Sequence, residues 1–231
     1  PKDYLEIRYA GYSDGILCGC ELEWNQDVLT VESGIIRYKN KLYFMKEPLH
    51  IQCKAEDKIR YVKVQFLALV SENEQVVGNT RVYLDDKEPD KACELELCRF
   101  RLQDGARLRN TYESFFDCTT QFDTIHLIDV PWSAPTTATL HPKILKQYAT
   151  EILQHNSTDN IDVGFAMNVL VNQGVVPADA IQIYIKNRLG CPAKKGNKGL
   201  YAGLKKILET HNSHTSEWNT SRENSRQVIL I

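Results

Sequence analysis

Residues Gly15 to Met45 read GILCGCELEWNQDVLTVESGIIRYKNKLYFM. Apolar and polar residues alternate in runs of a few positions, and Gly19, Gly34 and Lys39-Asn40-Lys41 cut the runs apart. A period of two, punctuated this often by turn residues, specifies short antiparallel strands rather than helices. Gly34 opens a strand after a tight corner. Ile35–Tyr38 and Leu42–Met45 form a hairpin in which Asn40 tolerates the positive φ that such a turn needs.

The same period extends outward on both sides. Upstream, Tyr4–Tyr9 alternates and predicts a strand, followed by a turn over Gly11–Gly15. Strands are expected at Ile16–Trp24, Val28–Val31, Leu49–Cys53, Ile59–Val70 and Glu74–Leu84, the last broken by a turn at Gly78-Asn79. A charged loop, Asp85–Asp90, follows. Cys93, Leu95 and Leu97 then share one parity, while Cys98, Phe100 and Leu102 share the other. A parity change inside a period-two run needs one inserted residue, so a β-bulge is expected near Leu97-Cys98. Asp104-Gly105 signals a further hairpin and Ile125–Val130 a last strand. No helix is expected in 1–130, which reads as an antiparallel β-sandwich-like domain.

Pro131–Thr139, with its two prolines and no charge, reads as a linker or an ordered extended segment. Beyond it the period changes from 2 to 3.6. Thr139 caps a first helix through Ile144, Leu145, Tyr148, Ile152 and Leu153 to about His155. Asp159 caps a second that stops at Gly174. Pro177 opens a third that ends at Gly190, and Leu200, Leu204, Ile207 and Leu208 mark a fourth. The expected class is α+β, with residues 140–211 forming a small helical bundle behind the β domain. The tail, 212–231, reads as polar and extended before an apolar end. Val228–Ile231 suits addition as a strand to a neighbour.

Composition removes several classes. No apolar run approaches the ~18 residues of a membrane span, and Pro1–Tyr4 lacks the basic-then-apolar layout of a signal peptide, so a cytoplasmic protein is expected. Seven scattered cysteines without a C-x-x-C pair do not make a disulfide framework. Cys18 and Cys20 share a face if the strand is regular, but they lack the second ligand pair of a zinc site and read as core thiols. Glu21/Glu23 and Glu94/Glu96 could serve a glycosidase or a cation, yet that spacing is also the solvent face of a strand, the preferred reading. His126, near Asp123 and Asp129, lacks a nucleophile motif. His211 and His214 read as part of a solvated tail. Walker and dinucleotide glycine patterns are absent. Neither a cofactor nor a metal is expected, and neither is an enzyme.

One electrostatic feature stands out. Residues 1–138 hold 17 Lys+Arg against 23 Asp+Glu, and 139–231 hold 11 against 7. Lys186, Arg188, Lys194, Lys195, Lys198, Lys205 and Lys206 lie in a window without an acidic residue. The second and third helices also match a helix-turn-helix in length, so nucleic-acid binding is a competing function. Ile181, Ile183 and Ile185 make the third helix apolar for a recognition helix, and an acidic N-terminal part repels phosphate.

Gly15-Ile16, Gly19, Leu22, Leu29-Thr30-Val31, Ser33-Gly34 and the hairpin Arg37–Tyr43 together resemble a pattern common in bacteriophage and prophage tail proteins, including baseplate and fibre-attachment components. Asn40-Lys41 stands where those proteins more often carry a glycine pair. The resemblance spans residues 15–45 and transfers no catalytic residue. It implies a non-enzymatic structural or assembly protein that docks to other tail or baseplate proteins and forms homo-oligomers. It further implies assembly in the cytoplasm and a place in the virion.

Overall fold

The computed structural model describes residues 2–67, 70–72, 75–77, 80–154 and 159–226. Gly19 and Cys20, at φ 68° and 55°, break the expected Ile16–Trp24 strand into β1 (Gly15–Gly19) and β2 (Leu22–Asn25), which join different sheets. β2 turns through Gln26-Asp27, both at positive φ, into β3 (Val28–Val31). β4 (Gly34–Tyr38) and β5 (Lys41–Met45) form the expected hairpin, with Lys39 and Asn40 both left-handed at φ 47° and 63°. β6 (Leu49–Gln52) returns alongside β3.

The longer strands follow. β7 (Ile59–Phe66) is the centre of a sheet flanked by β10 (Thr80–Asp85) and β11 (Glu94–Arg101), and β8 (Val70–Glu72) pairs with β9 (Gln75–Val77) as a hairpin. The register of β11 on β7 slips between Glu96 and Cys98, which is the expected bulge. The Gly78-Asn79 turn lies outside the described residues. All these pairings are antiparallel. The three-stranded sheets run β1-β4-β5, β2-β3-β6 and β10-β7-β11. Phe66 ties the first to the third, stacking on Tyr38 at 4.0 Å and meeting Tyr43 at 4.7 Å.

Two strand expectations fail. Residues Lys2–Arg8 form a helix, α1, so the first 130 residues are not free of helices. Seven residues of helix are marginal alone; buried Arg37 stabilises this one by donating from Nε to the Tyr9 carbonyl (3.0 Å) and from Nη2 to that of Ala10 (2.9 Å). A 3-10 turn, Phe115–Thr119, adds a second short helical segment. Ile125–Val130 is not a sheet strand: it holds its place through an isolated bridge between His126 and Arg99.

Residues 131–139 are an ordered extended stretch with Trp132, Ser133, Ala134 and Thr139 all buried. Their backbone bonds to β1, with Ile16 N–H donating to Pro131 and Ser133 N–H to Ile16. Thr139 therefore cannot cap the next helix. α2 runs Pro142–Gln154, and His141 Nδ1 accepts the Lys143 N–H (3.1 Å) at its start. α3 (Asn160–Val171) has the expected cap, Asp159 Oδ1 accepting from Ile161 N–H at 2.8 Å, and its stop at Gly174, φ 84°. α4 (Ala178–Leu189) follows Pro177 and ends on left-handed Gly190. α5 spans Asn197–Arg226, so residues 212–226 are helical rather than extended. Val228–Ile231 lie outside the described residues. One continuous core runs from Ile16 to Leu208, and Phe115 bridges its parts, its ring 5.4 Å from Tyr148 and 4.6 Å from Tyr201. The fold is α+β.

Candidate binding surface at the start of α5

The glycines of Cys191–Gly199 have a local purpose. Gly196 takes φ 86°, and Gly199 sits where any Cβ would collide with the Lys194 carbonyl. This lets the loop fold tightly back onto the first turn of α5. Asn197 then anchors that turn to the β side, its Nδ2 donating to Val130 (3.1 Å) and Thr139 (3.3 Å) carbonyls.

The seven basic residues do not act together. Lys194, Lys195, Lys198 and Lys206 line one groove of about 450 Å³ with Ile185 and Ala202. Lys205 instead lies over the Phe116 ring, 5.3 Å from its centre. Lys186 is exposed on α4. Arg188 turns inward, its Nη1 bonded to Asp159 and its Nε 3.0 Å from Asp162 Oδ1, a charge contact without hydrogen-bond alignment. Gln182 is also committed, accepting the Ala193 N–H at 3.0 Å. The outward face of α4 is left with Asp179, Ile183, Lys186 and Asn187, poor material for reading a DNA groove.

The window is free of acids in sequence but not in space. Lys198 Nζ lies 3.4 Å from Asp129 Oδ2, and Asp129 also takes Arg99 Nη2 at 3.0 Å. Arg99 in turn forks onto Glu96 at 2.7 and 2.8 Å. A second cleft of about 540 Å³ joins Lys195 and Lys198 to Glu88, Glu94 and Arg99.

Glu94 and Glu96 are therefore not a solvent face. Glu96 is buried, and burial lifts its pKa against the pull of Arg99. Burial also lifts that of Glu94, but hydrogen bonds from Tyr83 and Lys63 outweigh it and leave the carboxyl below its ordinary value. Lys63, 2% exposed, bonds Asp85 at 2.7 Å and Glu94 at 2.9 Å. Cations contributed by β7 and by the bulged end of β11 made this burial tolerable. Glu21 and Glu23 are exposed, and Glu21 pairs with Lys143 at 3.1 Å.

The other candidates disperse. Cys18 is exposed while Cys20 is buried 3.8 Å from Met45 Sδ, its thiol pushed up to about 12 by burial. His126 bonds the Thr120 carbonyl at 2.9 Å, whereas Asp123 serves Arg109. His211 is no solvated tail residue. Its Nε2 lies 2.8 Å from Asp162 Oδ2, in a cluster where Tyr184 donates to Asp162 (2.7 Å) and meets the Tyr148 hydroxyl (2.6 Å). The side chain of His214 lies outside the described residues. Among the described residues, no three His, Cys, Asp or Glu side chains come together as metal ligands would.

The chain matches no family model, no curated protein and no solved structure. No helix among the described residues is long and apolar enough to cross a membrane.

Proposed function

We propose that this chain is a non-enzymatic assembly protein that works through protein–protein contacts and self-association. The observation that carries the reading is α3. Its outward face presents Ile161, Val163, Met167 and Val171, 36–73% exposed, and its one charged residue, Asp162, is buried. A twelve-residue helix with no outward charge is a surface made for covering. A bacteriophage tail or baseplate association rests on the Gly15–Tyr43 resemblance. On that reading the protein is assembled in the cytoplasm and ends in the virion.

Sedimentation over a concentration series tests the contact. The wild type should self-associate, and Met167→Glu with Val171→Glu, both at exposed positions, should shift it to monomer without loss of helix signal. A wild type that stays monomeric at high concentration and is missing from purified tail particles sinks the proposal.

Nucleic-acid binding is the second reading, favoured by the four lysines of the α4–α5 groove. It predicts duplex DNA binding that weakens with salt and falls on Lys194→Glu with Lys195→Glu. Unchanged anisotropy of a labelled duplex at low salt removes it.

A further inference from the structure

A different cavity, of about 430 Å³, also has Lys198 in its lining. Its apolar walls are Ile59, Phe100, Ile128 and Tyr201, supplied by β7, β11, the 125–130 segment and α5. The volume falls within the roughly 300–1,000 Å³ range of small-molecule sites. Three cations line it, Arg99, Arg101 and Lys198, against one carboxylate, Asp129.

These charges are unequal in availability. Arg99 is spent, shared between Glu96 and Asp129. Arg101 is 38% exposed; its Nε donates to the carboxylate (3.0 Å) and carbonyl (3.1 Å) of the more exposed Asp57 and its guanidinium lies 4.7 Å from the Phe122 ring centre, which leaves its Nη groups for a ligand. Lys198 is 70% exposed, and among the described residues its ion-pair partner is Asp129 at 3.4 Å. Lys198 and Arg101 are therefore the lining cations nearest to solvent, each shared with a carboxylate, Asp129 or Asp57, with which a ligand carboxylate would compete. His126 also lines the cavity. Its Nε2 faces a carbonyl, so the proton sits there and Nδ1 is left as an acceptor. Burial, with Arg99 nearby, favours this neutral form.

We propose that this cavity binds a small anion with an apolar body, an aromatic or branched aliphatic carboxylate. The body packs against Ile59, Phe100, Ile128 and Tyr201, and the charge is met by Lys198 and Arg101. A ring N–H or hydroxyl on the ligand would also satisfy His126. A wholly hydrated anion gains nothing from the walls, and a neutral apolar ligand leaves the two cations unused.

Calorimetric titration of the full chain tests this with indole-3-acetate, its neutral analogue indole-3-acetamide, and 8-anilino-1-naphthalenesulfonate as a larger aromatic anion. Both anions should bind, indole-3-acetate at least about tenfold tighter than the amide, because only the acid offers a charge to Lys198 and Arg101. Lys198→Glu with Arg101→Glu should erase that preference. Ile59→Glu, at a half-exposed wall position, should abolish binding of all three, and Lys41→Glu, a larger charge change at an exposed site on β5, should leave it intact. No binding of either anion, equal affinity for acid and amide, or binding retained in Ile59→Glu would each overturn the proposal. Circular dichroism of every variant confirms the fold, and the outcome is independent of self-association through α3.

Discussion

His141 couples the stability of this protein to pH. The side chain is 4% exposed, packed edge-on against Trp132 at 4.7 Å, and its Nδ1 accepts the Lys143 N–H at the start of α2. Burial, helped by Lys143 and Lys146, pushes its pKa down to about 3. In the unfolded chain the same imidazole titrates near 6.5. Between those values the unfolded state binds a proton that the folded state refuses, so stability is lost as pH falls below about 6.5 and levels off near 3. At a slope approaching 1.36 kcal/mol per unit, the loss between pH 7 and pH 5 is about 2 kcal/mol. For a chain of this size that lowers the melting temperature by about 4–8 °C. His141→Asn keeps an acceptor for the first turn of α2 and removes the titration. Thermal unfolding of both proteins at pH 7 and pH 5 should show the wild type losing about 2 kcal/mol more than the variant. Equal losses would falsify the claim that the folded state holds this imidazole neutral.

Three further perturbations follow from buried contacts. Asp162→Ala removes the buried carboxylate that Arg188, His211 and the Tyr184 hydroxyl share, and should cost about 3–5 kcal/mol; a melting temperature within about 2 °C of wild type would show that the cluster is not holding the bundle. Arg109 holds the Asp117 carboxyl well below the carboxylate range through contacts of 2.5 and 2.7 Å, against some burial and with help from Thr120 and the Glu113 N–H. That stability is present above the unfolded value near 3.9 and fades as pH drops toward the folded one. Arg109→Met should cost about 1.5–3 kcal/mol at neutral pH and flatten the acid limb of the unfolding curve, and an unchanged limb contradicts the pairing. Gly34→Ala places a Cβ 2.5 Å from the Cys20 nitrogen, where β1 meets β4, and should cost about 1–3 kcal/mol by denaturant melt. A neutral result would mean that this corner yields easily.

Local chemistry made much of the architecture legible. The parity change at Leu97-Cys98, the Asp159 cap, the Gly174 and Gly190 stops and the Lys39-Asn40 turn all depend on residues within a few positions of one another, and the structure realises each of them. The α+β division was readable for the same reason, since periods of 2 and 3.6 are properties of neighbouring side chains. Of the candidate site, the lysines were readable as a charge run, but not which of them share a groove.

What tertiary structure alone decided has partners far away in the chain. Tyr4–Tyr9 fits either period over so short a span, and Arg37 resolves it as helix by bonding the carbonyls that follow. Ile125–Val130 has a strand's composition, yet it makes one bridge to β11 and no sheet. Glu94 reads as a solvent-facing acid until Lys63 arrives from the neighbouring strand, and His211 reads as tail until α3 and α4 bring Asp162 and Arg188 to it. A buried charge is acceptable only beside a counter-charge. Where that counter-charge stands dozens of residues away, local pattern cannot announce it. The sequence by itself determined the periods, turns and caps of Gly15–Met45 and of the helices; packing determined which charged groups were drawn inside and which, like Lys198, were left at the edge of a cavity.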